Sequence, residues 1–241
     1  MKFLNAALVA FLLASISLYT QTVEPSKALE KSKLQLEFES LYLIERDGAE
    51  KVNSWSIPSV LMRYGLNNVV ELQLNVPYLK ESKFEDENEF SSRTFFDNVQ
   101  AGISVNLWSE NGLLPEAAVM ARALIPISDY QIGRIGTLLG LHLSNTISDQ
   151  LSLNYNLGWI AEEEGNSVYY IANLSWEMSP IVHAFVEFFG STYNHMNVNH
   201  NINSGIGFNL GKSFCLDFSV ARGLTQQMIY FGGILTYQLD I

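Results

Sequence analysis

Three polar residues near the middle of the chain have the types and spacing for acyl-transfer chemistry: His142, Ser144 and Asn156. A histidine base can take the proton of a serine hydroxyl, and a third polar group can hold the imidazole in its working tautomer. His142 and Ser144, two positions apart, share one face of a strand. Asn145 follows directly, and Asn156 falls where an adjacent strand would pass. A second set is ionisable rather than nucleophilic. By alternation Glu37, Glu39, Arg63, Glu71, Arg122, Glu187 and Asp217 fall on the less apolar faces of their strands. Five acids and two arginines so placed line a pore that favours cations or neutral solutes over anions. Alternatively they fill an interior with ion pairs and hydrogen bonds. Both readings stand.

Other candidates carry less. His195 and His200 have no carboxylate near them in sequence, so no metal site is expected there. Glu162, Glu163 and Glu164 with Asn166 read as a solvated loop rather than a cation site. The single cysteine, Cys215, has no ligand-spaced partner and reads as a small wall residue. There is no phosphate-binding glycine loop, no paired-cysteine motif and no nucleotide fingerprint. Neither a metal nor a cofactor is expected, nor an enzyme.

The elements that must position these residues are strands. In Gln150 to Trp159, the residues Leu151, Leu153, Tyr155, Leu157 and Trp159 alternate with Ser152, Asn154, Asn156 and Gly158. Period two with one greasy face and one Asn, Ser and Gly face fits a strand with lipid on one side and an enclosed polar space on the other. The pattern recurs. Asn199, Asn201, Asn203, Gly205, Gly207 and Asn209 share a face, as do Val168, Tyr170, Ala172, Leu174, Trp176 and Met178. About twelve strands are predicted, an even number that closes without a free edge. The expected fold is therefore all-β, an antiparallel transmembrane β-barrel of the outer membrane. Trp55, Trp108, Trp159, Trp176, Tyr64, Tyr78 and Tyr193 fall near strand ends, where interface girdles belong.

Charged residues are 16% of the 241-residue chain and apolar ones 48%, too few charges for an ordinary globular surface. The net charge of −11 and a pI near 4.8 exclude a nucleic-acid partner, because phosphate binding needs lysine and arginine. The expected partners are outer-membrane lipid and a small-molecule solute. Residues 1–22 read as an export signal, with Lys2 ahead of an apolar run. Residues 23–33 read as a polar periplasmic tail, and residues 34–241 as the barrel. Lys80 to Arg93 reads as the longest loop, and the connections after strands one, three, seven and nine as long ones on the cell-surface side.

Several short pieces resemble an outer-membrane barrel family labelled with the MetA pathway of phenol degradation, or as transporters. They are Ile57-Pro58, Arg63-Tyr64-Gly65-Leu66, Glu71-Leu72-Gln73-Leu74, Leu124-Ile125-Pro126, Leu151 to Gly158, and Phe185-Val186-Glu187-Phe188-Phe189-Gly190. The resemblance spans nearly the whole chain after the signal. It implies passage of small apolar or aromatic compounds and no catalytic residues. The terminal Ile241 departs from the aromatic ending usual in such barrels. His142-Leu143-Ser144-Asn145 with Asn156 also resembles the motif of outer-membrane acyl hydrolases of the phospholipase A kind, which implies a serine nucleophile at Ser144. Those enzymes present the site to lipid, whereas Leu139, Leu141 and Leu143 take that side here. A closed barrel with a structural or adhesive role for the Lys80 to Arg93 loop is the third reading.

Overall fold

The computed structural model describes residues 23–127, 134–163, 165–193 and 198–241. The export signal assigned to residues 1–22 and the turn at Ser128-Asp129-Tyr130 lie outside the described residues. The chain forms strands β1 (Lys33–Asp47), β2 (Glu50–Ser56), β3 (Ser59–Gly65), β4 (Val70–Val76) and β5 (Tyr78–Glu85). These are followed by β6 (Asn88–Phe96), β7 (Val99–Trp108), β8 (Glu116–Ile125), β9 (Gly136–Ser148) and β10 (Leu151–Glu162). The remainder are β11 (Gly165–Glu177), β12 (Val182–Tyr193), β13 (Asn199–Leu210), β14 (Phe214–Gly223) and β15 (Gln227–Asp240).

All fifteen belong to one sheet, and antiparallel pairing of β1 with β15 from Lys33↔Asp240 to Arg46↔Gln227 closes it. Three pairs of strands run end to end. Ile57-Pro58 separates β2 from β3, Pro77 separates β4 from β5, and Asp97-Asn98 separates β6 from β7. Proline offers no N–H to a ladder and bends the strand that holds it. The breaks stay stitched, since the Ile57 amide donates to the Tyr78 carbonyl at 2.8 Å and the Asp97 amide to that of Pro77 at 3.0 Å. Counting each pair as one stave, twelve staves close the barrel, as the alternation predicts.

The barrel is inside out relative to a soluble protein. On β10 Leu157 is 55% exposed while its neighbour Asn156 is 4% exposed, and this decides which face looks outward. Leu139, Trp159, Trp176, Phe188 and Phe218 also point out, while Glu71, His142, Asn173, Glu187 and Asn203 are buried inside. A closed ladder leaves no backbone edge for hydrocarbon, and the apolar outer band matches acyl chains. Trp108 and Trp176 end their strands at the mouth where the chain enters and leaves, and Trp159 lies toward the opposite, distal mouth.

Three expectations fail. Lys80 to Arg93 is not a loop but the body of a β5–β6 hairpin turning at Asp86-Glu87, both in the left-handed region at φ 48° and 63°. Strand β6 is exposed along nearly its whole length, and β5 buries the polar Glu81 and Ser82 beside Leu79, so apolar alternation is weak and charge hides the hairpin from a periodicity reading. Its strands hold through Arg93 with Glu81 at 2.9 Å and Ser82 with Ser92 at 2.9 Å. The predicted sorting of connections by length does not hold either. Only Gly48-Ala49 joins β1 to β2 and only 163–164 join β10 to β11, because strands need not stop where the membrane does. Finally, residues 23–32 are not a free tail, as described next.

Candidate functional site

The interior is built in two storeys. Toward the distal mouth much of the inward surface is apolar, with Asn201 and Asn203 among its polar members: Leu41, Leu43, Ile171, Phe189, Met228 and Tyr230 form one buried cluster. Met120, Leu124, Leu138 and Ile160 form another, with Tyr169 packed against both. The predicted Asn, Gly and Ser rows thus describe only part of the interior, because a space closed to water takes leucine as readily as a space closed to lipid takes asparagine.

The other storey is charged, and four of the seven predicted residues meet there. Arg63 grips Glu71 with two parallel bonds, Nε to Oε1 and Nη2 to Oε2, each 2.9 Å. Its Nη1 stands 3.8 Å from Glu37. Gln73 donates to Glu71 at 2.6 Å and accepts from Arg122 Nε at 2.8 Å. Arg122 reaches Gln73 across Gly102 of the intervening strand, where a Cβ would lie 2.7 Å from the arginine's own Cγ. Two-pronged arginine–carboxylate bonding of this kind is strong and fixed in direction. The other three predicted residues stand apart. Glu39 lies near the Ser56 hydroxyl, Glu187 receives Asn173 and Asn203 at 3.3 Å from the strands on either side, and Asp217 bonds His183 at 2.7 Å.

Into this storey runs the segment expected as a tail. From the entry mouth, the Ser32 amide donates to the Gly65 carbonyl at 2.9 Å, and the Leu29 amide to Glu71 Oε2 at 2.8 Å. Asn106 Nδ2 donates to the Ser26 carbonyl at 2.8 Å. Asn156 clamps Glu24, accepting its amide at 2.9 Å and donating to its carbonyl at 3.0 Å. Arg122 Nη2 holds the Glu24 carboxylate at 2.6 Å. Val23 packs against the apolar cluster. A polar segment without periodicity cannot be placed from its own sequence. Its place is set by partners 33 to 209 positions away. A Cβ on Gly65 would lie 2.0 Å from the Glu30 carbonyl oxygen, so the wall is cut away where the segment enters.

The acyl-transfer constellation does not assemble. His142 and Ser144 do share the inward face, and His142 is opposite Asn156. However, Ser144 Oγ donates to Asn154 Oδ1 at 2.7 Å and Asn156 is spent on Glu24. His142 is fully buried within the barrel, away from the lipid that such a site would address. Sequence reading missed Asn106 and Asn156 as holders of the segment and Gln73 as the link between Glu71 and Arg122, although each lies on the polar side of an alternating strand.

Residues 20–237 match the family described as "Putative MetA-pathway of phenol degradation". No match was found among the curated proteins. Among solved structures, the barrel resembles the COG4313 outer membrane channel from Pseudomonas putida F1, with a TM-score of 0.73 at 10% identity, over 90% of this chain and 100% of that one. It resembles the NanC porin with a TM-score of 0.57 at 7% identity, over 85% and 100%. The β domain of the Bordetella autotransporter BrkA gives 0.57 at 8% identity, over 87% and 100%. Likeness at these identities is a likeness of fold. With the family matched over nearly its full length and the apolar band facing out, the chain belongs to the MetA-pathway phenol-degradation family and is an outer-membrane β-barrel.

Proposed function

We propose that this protein is a passive channel for small apolar or aromatic solutes, that its path is the barrel interior, and that it is not an enzyme. The observation that carries this reading is the apolar distal storey, an inward-facing surface of leucine, isoleucine, methionine and aromatic rings inside a membrane barrel. Such a surface favours apolar guests over sugars, since burying apolar area releases about 25 cal/mol per Å². The family's description, and the channel and the porin that share the fold, support it. The charged storey beyond, with Glu37, Arg63, Glu71 and Arg122 on its wall, together with Glu39, Glu187 and Asp217 elsewhere on the interior, then discriminates against anions by five acids to two arginines. In this reading the entry mouth faces the periplasm and the hairpin faces outward from the cell.

Passage requires the segment of residues 23–32 to move. It is held by side-chain hydrogen bonds and the ion pairs Arg122–Glu24 and Lys33–Glu30 rather than by a strand ladder through its length, so it can be released without opening the wall. Liposome swelling tests the proposal. Vesicles carrying the protein should swell in a small aromatic alcohol faster than in a sugar of similar size, and faster again after deletion of residues 24–31. Equal exclusion of both solutes, with and without the segment, would sink the channel reading. Release of fatty acid from phospholipid by the wild type, abolished in Ser144→Ala, would replace it with the hydrolase.

A further inference from the structure

Three side chains with metal-binding atoms converge inside the barrel near the entry mouth, apart from the charged network. His183 is the second residue of β12, and Cys215 and Asp217 lie at the start of β14. His183 Nε2 is 2.7 Å from Asp217 Oδ1, Cys215 Sγ is 3.4 Å from Asp217 Oδ2, and one ligand atom from each residue lies within 4.8 Å of the other two. The strand between them supplies Gly207, level with both His183 and Asp217. A Cβ there would stand 2.1 Å from His183 Nε2 and from Asp217 Oδ1, so any other residue would occupy the place where the two groups meet. All three side chains are only half-buried and reachable by water from the mouth.

We propose that His183, Cys215 and Asp217 form a binding site for a zinc-like divalent cation. A nitrogen, a sulfur and a carboxylate oxygen are the donors that zinc takes, at about 2.0 to 2.3 Å, and three protein ligands with one position left to water is a usual open arrangement. Tetrahedral bonds of that length put the donors roughly 3.3 to 3.8 Å apart. The His183–Asp217 pair must therefore open by less than about 1 Å, which side-chain rotation supplies. On binding, the Cys215 thiol gives up its proton to solvent and its thiolate takes a metal bond. The His183 proton moves to Nδ1, leaving Nε2 free to coordinate. Glu177, opposite His183 on β11, adds negative charge at the rim. The single cysteine of the chain, which has no internal disulfide partner, thus has a role beyond that of a small wall residue.

Equilibrium dialysis of the folded, detergent-solubilised protein against Zn²⁺ tests the site. One ion per chain is expected, and His183→Ala and Cys215→Ser should each weaken binding by more than roughly tenfold. His200→Ala, outside the cluster, should leave it unchanged. With Co²⁺ in place of zinc, a thiolate-to-metal absorption band should appear and vanish in Cys215→Ser. Heat-modifiable migration on gels reports that each variant is still a barrel. No bound ion in the folded wild type overturns the proposal, as does binding that survives both His183→Ala and Cys215→Ser.

Discussion

Arg63 and Glu71 are the residues on which the charged storey turns. Both are almost fully buried, and each satisfies the other with two bonds. Removing one partner strands the other charge away from water, a loss of about 3 to 5 kcal/mol in soluble proteins. Arg63→Ala should therefore lower the urea midpoint of the barrel in detergent, and the Arg63→Ala, Glu71→Ala double variant should recover part of the loss. Equal losses from single and double variants would mean that the pair is not coupled. Glu187 differs, since its neighbours Asn173 and Asn203 are neutral donors. Glu187→Gln, which keeps the shape, should cost far less than Glu187→Leu in the same measurement, because the leucine leaves both asparagines without an acceptor.

At the scale of elements, the two surprises are the hairpin and the inserted segment. At the hairpin tip Lys51 and Arg46 both bond Glu87, and the Lys51 bond is the larger cause holding its carboxyl below the usual value. A carboxyl depressed on folding stabilises the tip above its unfolded pKa of about 4.3, and that contribution fades as pH falls through the lower folded value. Amide exchange at Asp86 to Asn88 should therefore gain an acid-induced opening below about pH 4 that Glu87→Gln abolishes. The segment is tested at Gly65, which the Glu30 carbonyl overlies. Gly65→Leu should displace it and raise single-channel conductance in planar bilayers, and unchanged conductance would mean that the segment does not obstruct the path. Both elements resist reading from sequence for one reason. Alternation reports apolar burial on one face of a strand, whereas the hairpin is exposed along β6 and buries polar Glu81 and Ser82 on β5, and the segment is held by its partners alone.

Across the whole molecule, the assignment of faces has a direct consequence. Leu157→Arg puts a charge among acyl chains and should cost about 2 to 4 kcal/mol near the bilayer midplane, read as a lower denaturant midpoint in liposomes. Asn154→Arg, on the same strand but facing inward beside Ser144, should cost much less. The order of those two effects was fixed by the sequence alone. Period two needs no partner to be visible, so alternation in Gln150 to Trp159 determined the strands, which side is greasy, and the even stave number that lets them close. Only the tertiary structure decided what fills the space enclosed. That Arg122 reaches Gln73 over Gly102, that Asn156 holds Glu24, and that His183 meets Asp217 over Gly207 depend on the register between strands. Register is set by the closing of the whole ladder and leaves no mark on any one strand.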